Sequence, residues 1–93
     1  MVKVIERTPK EIALSEKFSQ LEQIARKFVD EKNICLNSNL NSFSLYKNSI
    51  LVIPELNRLF VYDSQQFDFA LDLANLYENT CNEEFIIKKE YKE

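Results

Sequence analysis

Two apolar runs flank a turn in residues 50–62, which read Ile50-Leu51-Val52-Ile53-Pro54-Glu55-Leu56-Asn57-Arg58-Leu59-Phe60-Val61-Tyr62. Each run has the length of a strand, and the proline and asparagine between them are typical of turns. The stretch therefore predicts a β-hairpin with residues 50–53 and 59–62 as its strands. Because an isolated hairpin is marginally stable in water, the rest of the chain must supply elements that pack on it.

A helical pattern precedes the hairpin. Between residues 9 and 32, apolar side chains recur every three or four positions, at Leu14, Phe18, Leu21, Ala25 and Phe28. Pro9 fits the first helical position, where a missing N–H costs nothing. The spacing predicts an amphipathic helix that ends near Lys32 and is closed by Asn33 in the left-handed conformation. Asn57 and Asn79 are expected to take the same conformation elsewhere, because the chain has no glycine.

The segments around this helix and hairpin complete an α+β pattern. A second helix is predicted over about 65–79, after a cap at Asp63 or Ser64. Alternating side chains predict a short first strand at Val2 and Val4, and a last strand at Phe85, Ile87 and Tyr91.

The resulting order over a single domain, residues 1–93, is β-α-β-β-α-β, with an extra strand or loop near residues 34–47. This order permits a ferredoxin-like architecture, in which two helices pack on one face of a small, mainly antiparallel sheet.

The composition argues against most kinds of catalysis. Among 93 residues there is no glycine and no histidine. Phosphate-binding loops depend on glycine, and the common nucleophile–base pairs depend on histidine. Cys35 and Cys81 are too far apart in sequence for a zinc motif, and buried, reduced thiols are the expected state. We expect no cofactor, no metal and no catalytic residue.

Two weaker chemical patterns remain. Ser44 and Lys47 have Ser-x-x-Lys spacing, but they stand in a strand or loop and not at the start of a helix. Asp68 and Asp72 lie one helical turn apart, where they could share Mg²⁺ or act as an acid–base pair. A third ligand is not evident, so a polar helix face is the favoured interpretation and a minimal carboxylate-based, metal-dependent enzyme is the third alternative.

The second helix is more apolar than packing on a sheet requires. Its polar stripe is narrow, and the apolar arc covers most of the remaining circumference. One interpretation is that the first helix packs on this flank. The other, which we adopt as a hypothesis, is an exposed apolar patch rimmed by carboxylates. The predicted partner-binding residues are Asp68, Phe69, Asp72, Leu73 and Leu76.

Charge indicates the kind of partner. The formal net charge is −3, and residues 63–87 contain no lysine or arginine but six carboxylates, those of Asp63, Asp68, Asp72, Glu78, Glu83 and Glu84. Such a segment attracts a basic protein surface and repels nucleic acid. The extra apolar arc also fits a second copy of the chain.

Nucleic acid is the alternative partner. Phe60 and Tyr62 alternate on a predicted strand and could stack on bases. Core packing of both rings is the favoured interpretation, because no cluster of lysine and arginine flanks them. No apolar run is long enough to cross a membrane, and a cytoplasmic location is expected.

These observations predict a small, non-catalytic protein–protein interaction module. Small acidic proteins without catalytic motifs are often regulators or inhibitors encoded by mobile elements or viruses. The alternative prediction is a module that binds RNA or single-stranded nucleic acid.

Overall fold

The computed structural model describes residues 9–92, which form two helices and a five-stranded mixed sheet. The elements are α1 (Pro9–Phe28), β1 (Ile34–Asn37), β2 (Ser42–Leu45), β3 (Ile50–Ile53), β4 (Arg58–Val61), α2 (Phe67–Cys81) and β5 (Ile86–Lys89). Short 3₁₀ turns occupy residues 31–33, 54–56 and 64–66. The first strand predicted at Val2 and Val4 lies outside the described residues.

The strands lie in the sheet in the order in which they occur in the chain. β1 to β4 form an antiparallel meander, and β5 pairs with β4 in parallel. A parallel neighbour needs a crossover connection, and α2 provides it. The predicted hairpin is confirmed as β3 and β4, in which Ile50 pairs with Val61 and Ile53 with Arg58.

The ferredoxin-like order is not confirmed. It needs a second crossover, through α1 from the strand predicted at Val2 and Val4, and the described residues contain one crossover, β4–α2–β5. The extra segment near residues 34–47 forms a complete hairpin, β1 and β2, that extends the meander. Weak alternation conceals these strands for two different reasons: β1 is an edge strand and is largely exposed, whereas β2 lies inside the sheet and is buried on both faces, including Ser42 and Ser44.

One face of the sheet carries the core. Alternation places Phe43, Val52 and Leu59 in one row across β2 to β4, and all three side chains are fully buried. Both helices contribute to the same cluster, α1 with Leu21 and Ala25 and α2 with four residues, Ala70, Leu73, Ala74 and Tyr77. The edge of the Phe18 ring meets Phe43, with 5.7 Å between centroids.

The residues between these core positions point to the opposite face of the sheet. Leu51, Ile53 and Phe60 are partly exposed there, and Ile86 is half-exposed. None of the four belongs to the core cluster formed by the helices. Within residues 9–92, the sheet is therefore covered by helices on one side only.

Helix ends and tight turns correct several sequence-based expectations. α1 ends at Phe28, four residues before the predicted end, because the Asp30 side chain accepts a hydrogen bond from the Lys32 N–H and starts a 3₁₀ turn. Asn33 is not left-handed, whereas Asn57 is, with φ 53° and ψ 43°. α2 is closed by Asn82 and not by Asn79.

Candidate partner-binding surfaces

A groove lies between the end of α1 and the side of α2. It measures about 160 Å³ and is lined by Phe28, Phe69, Asp72, Leu73 and Leu76. An apolar cavity of about 150 Å³ holds a benzene-sized group, so the groove has room for one apolar side chain of a partner. Four of the five residues predicted for partner binding line it.

The five predicted residues have different environments. Leu73 is buried and forms the floor of the groove, whereas Phe69 and Leu76 are partly exposed and form its wall. The Phe69 ring is held edge-on against Tyr46, with 5.2 Å between centroids. Asp72 and Asp68 are exposed, and Asp68 lies outside the groove, one turn before Asp72.

Phe28 is the groove residue that is not among the residues predicted for partner binding. Its side chain is 58% exposed. The periodicity of α1 places it on the apolar stripe, but the helix ends at this residue and no following turn covers the ring. The signal that was missed is Asp30, a good capping residue two positions later.

The two aspartates do not assemble a metal centre with neighbours. Within residues 9–92 there is no group of three or more His, Cys, Asp or Glu side chains arranged to hold a metal ion. Ser44 and Lys47 do not form a nucleophile–base pair. The Ser44 hydroxyl donates to the Asn48 side-chain oxygen at 2.6 Å, and Lys47 lies in the exposed turn between β2 and β3.

A second surface is the side of the sheet that the described helices leave open. The interpretation of Phe60 and Tyr62 as core residues is wrong: Phe60 is partly exposed and Tyr62 is 48% exposed. Lys88 of β5 stands directly opposite Phe60 in the parallel register. Arg58 lies two residues before Phe60 on the same face and is exposed.

The basic neighbour of Phe60 could not be read from the sequence. Lys88 lies 28 positions after its partner residue Phe60, and only the crossover through α2 brings the two together. Lys88 forms a 3.5 Å ion pair with Glu90, and its side chain remains mostly exposed. An open hollow continues this face toward the other edge of the sheet, lined by residues that include Asn37, Asn48, Leu51 and Tyr62.

A polar cluster ties α1 to the turn before β4 and to the segment before β5. The Lys17 ammonium contacts the side-chain oxygen of Asn57 and lies 2.5 Å from the Glu83 carboxylate. The hydrogen bond from Lys17 lowers the pKa of Glu83 below its usual range. The cluster satisfies its own charges, so we assign it to the fold and not to a binding surface.

Both cysteines are free. Cys35 is exposed on β1, which corrects the expectation of a buried thiol, and Cys81 is partly buried at the end of α2. Burial raises the pKa of the Cys81 thiol. Two leucines near Cys35 are also exposed, Leu36 on β1 and Leu40 in the following turn.

No helix within residues 9–92 is long and apolar enough to cross a membrane.

Comparison with other proteins does not relate the chain to a known family or structure. Comparisons of the chain with protein-family models, with curated proteins and with solved structures found no match.

Proposed function

We propose that this protein is a non-catalytic interaction module that regulates or inhibits another protein through the groove between α1 and α2. The observation that carries the proposal is the groove itself: Phe28, Phe69 and Leu76 surround a space for one apolar side chain, beside the carboxylate of Asp72. Buried apolar anchors next to polar rims supply most of the affinity in protein interfaces.

Charge defines the partner further. The segment that contains α2 has six carboxylates and no lysine or arginine between residues 63 and 87. Asp68 and Asp72 extend along α2 from the groove, one turn apart. The partner that fits is a basic surface on which an exposed aromatic or aliphatic side chain stands within one turn of a lysine or arginine.

A displayed library of random linear peptides tests this chemistry without a known partner. Selected peptides should combine an apolar side chain with nearby lysine or arginine. They should bind Phe28→Ser and Asp72→Lys at least about tenfold more weakly, since truncating an anchor or reversing a close charge costs about 1.4 kcal/mol or more.

The matched control is Ile12→Ser, which removes an apolar side chain that is 44% exposed on the same helix but outside the groove. Its binding should equal that of the unchanged protein. Peptides that bind all three variants equally well would refute the groove as the binding site.

A second candidate function, binding of RNA or single-stranded DNA, is favoured by one specific observation. Phe60 and Tyr62 are accessible on the open sheet face, with Arg58 on the same strand and Lys88 opposite Phe60. Aromatic rings that stack on bases beside cationic side chains are the usual elements of single-strand recognition. With two cations on a protein of net charge −3, the logarithm of the binding constant should fall with the logarithm of salt concentration with a slope of only about −1.4.

Fluorescence anisotropy with a labelled oligouridylate at low salt tests this candidate. Tyr62→Ser should weaken binding by about tenfold, because stacking on one base contributes about 1–3 kcal/mol. Arg58→Gln should reduce the slope of the salt dependence by about one. Phe28→Ser should weaken the binding of peptides but should not change the binding of the oligonucleotide. Its effect in the two assays therefore distinguishes the two functions. Absence of binding at low salt rules the candidate out.

A further inference from the structure

Within residues 9–92, no strand pairs with the outer edge of β1. The Tyr46 N–H donates to the Asn33 carbonyl at 3.1 Å, and Cys35 stands opposite Ser44 in the same register. Antiparallel neighbours alternate between hydrogen-bonded and non-hydrogen-bonded pairs. The N–H and C=O groups of Ile34 and Leu36 therefore point away from β2, toward the edge of the sheet.

These two residues do not offer the same groups to a partner. The Ile34 N–H donates to the Glu31 carbonyl in the 3₁₀ turn that precedes β1. Leu36 is consequently the residue of β1 that presents both a donor and an acceptor outward. Its side chain is 55% exposed.

The two edges of the sheet differ in how they are protected. β5 carries Lys88 and Lys89, and lysines on an edge strand oppose pairing with another strand. β1 reads Ile34-Cys35-Leu36-Asn37 and has no charge and no proline. No element within residues 9–92 covers it, since its neighbour in the sheet is β2 alone. β1 is thus the edge on which another strand can be added.

We propose that a second copy of this chain pairs antiparallel along β1, with Leu36 opposite Leu36 of the second copy on the two-fold axis. A residue that presents a donor and an acceptor is complementary to itself under two-fold symmetry. Each Leu36 N–H donates to the other Leu36 carbonyl, and the exposed leucine side chains contact each other. The flanking pairs join Cys35 to Asn37 of the second copy, so no like charges meet within β1.

The interface joins the two sheets into one of ten strands, and none of the residues that line the groove beside α2 belongs to β1. It rests on one short strand per copy, which places it at the small end of specific interfaces, below about 1,200 Å². We therefore expect a dimer whose population depends on concentration in the range used for biophysical measurements.

Sedimentation velocity over a series of concentrations tests the dimer. The mass of the unchanged protein should rise from monomer to dimer, and Leu36→Lys should remain monomeric because it places a charge on the edge. The matched control is Leu56→Lys, which changes a leucine of similar exposure, 52%, in the 54–56 turn, and should dimerise normally. Circular dichroism verifies that both variants are folded. A monomer at every concentration for the unchanged protein overturns the proposal.

Oxidative cross-linking tests the register. Non-hydrogen-bonded pairs have Cβ atoms about 4.5–5.5 Å apart, close to the separation that a disulfide needs. In a Cys81→Ser background, Asn37→Cys should therefore form disulfides between Cys35 and residue 37 of the second copy. Diamide accepts the two electrons and two protons that each pair of thiols releases.

Without Asn37→Cys, the same background should give no cross-linked dimer, because Cys35 then faces asparagine. A direct disulfide between the two Cys35 residues would place the axis at Cys35 and overturn the register. Cross-linking of neither protein, with dimer present by sedimentation, would overturn the β1 interface.

Discussion

At the scale of single residues, asparagine replaces the glycine that this chain lacks. Six described residues have positive φ, and four of them are asparagines, Asn41, Asn48, Asn57 and Asn82. The sequence correctly indicated this role at Asn57. The predictions at Asn33 and Asn79 are wrong, because α1 ends before Asn33 and α2 continues past Asn79 to Cys81.

Two residues take the left-handed conformation without the help of an asparagine side chain. Tyr46 and Lys47 have φ values of 52° and 55°, directly before Asn48 at 68°. A Cβ in this region costs about 1–2 kcal/mol per residue. The Tyr46 ring recovers part of that cost by packing against Phe69. The Lys47 side chain is exposed.

Lys47→Gly should therefore stabilise the protein. Relief of the Cβ clash outweighs the added freedom of the unfolded chain, and we expect the free energy of unfolding in urea to rise by about 0.5–1 kcal/mol. Lys27→Gly, at an exposed position in the last turn of α1, is the control and should lower it by up to about 1 kcal/mol. A decrease of equal size for both variants would contradict the strain at Lys47.

At the scale of elements, one tyrosine joins the two helices. The buried Tyr77 hydroxyl on α2 donates to the Leu21 carbonyl on α1 at 3.0 Å. Tyr77 also packs against Phe85, with 5.6 Å between ring centroids. Burial raises the pKa of Tyr77 above its ordinary value.

This burial makes the helix contact sensitive to alkali. A raised pKa in the folded protein means that stability is intact below the unfolded value of about 10 and decreases as the pH rises above it. Tyr77→Phe should be less stable by about 1–2 kcal/mol near neutral pH and should lose less stability at high pH. Urea unfolding at neutral and alkaline pH measures both effects. The control is Tyr62→Phe, which changes an exposed tyrosine and should lose as much stability at high pH as the unchanged protein. An equal loss of stability at high pH in all three proteins would contradict the role of Tyr77.

Most helices and strands could be predicted from the sequence, but the contacts between them could not. The hairpin of β3 and β4 and the start of α1 at Pro9 follow from local patterns. The cap predicted for the second helix at Asp63 instead starts the 3₁₀ turn 64–66, and α2 begins at Phe67, two residues after the predicted start. The position of β5 beside β4 depends on the α2 crossover, which no local pattern reveals. The groove was predicted only in part for the same reason. The sequence predicted the groove residues of α2, but it did not predict Phe28, because the periodicity of the first helix extends beyond the residue at which α1 ends.

At the scale of the whole molecule, the fold separates its surfaces. The helices cover one face of the sheet and form the groove that contains Asp72, the other face carries Phe60 and Tyr62, and β1 is an edge that no other strand within residues 9–92 covers. The sequence predicted the class of fold, because alternating and helical periods are strong signals. It assigned both aromatic residues to the core, because periodicity alone does not say which side of a sheet is covered.

A dimer through β1 also affects the stability of the whole molecule. Since association stabilises the folded state by mass action, the Tm of the unchanged protein should rise with protein concentration. The Tm of Leu36→Lys should be constant over the same series, and that of Leu56→Lys should rise. Differential scanning calorimetry provides the measurement, and a constant Tm in all three proteins would argue against self-association.

The parallel placement of β5 has a consequence for synthesis. The meander of β1 to β4 is synthesised before α2 and β5, so in a chain that stops before residue 86 no strand from residues 9–85 covers either β1 or β4. Arrival of β5 covers β4 with a strand that carries two lysines. β5 therefore protects the β4 edge of the sheet, and a released chain whose synthesis stopped before residue 86 should be more prone to aggregate than a chain that contains β5.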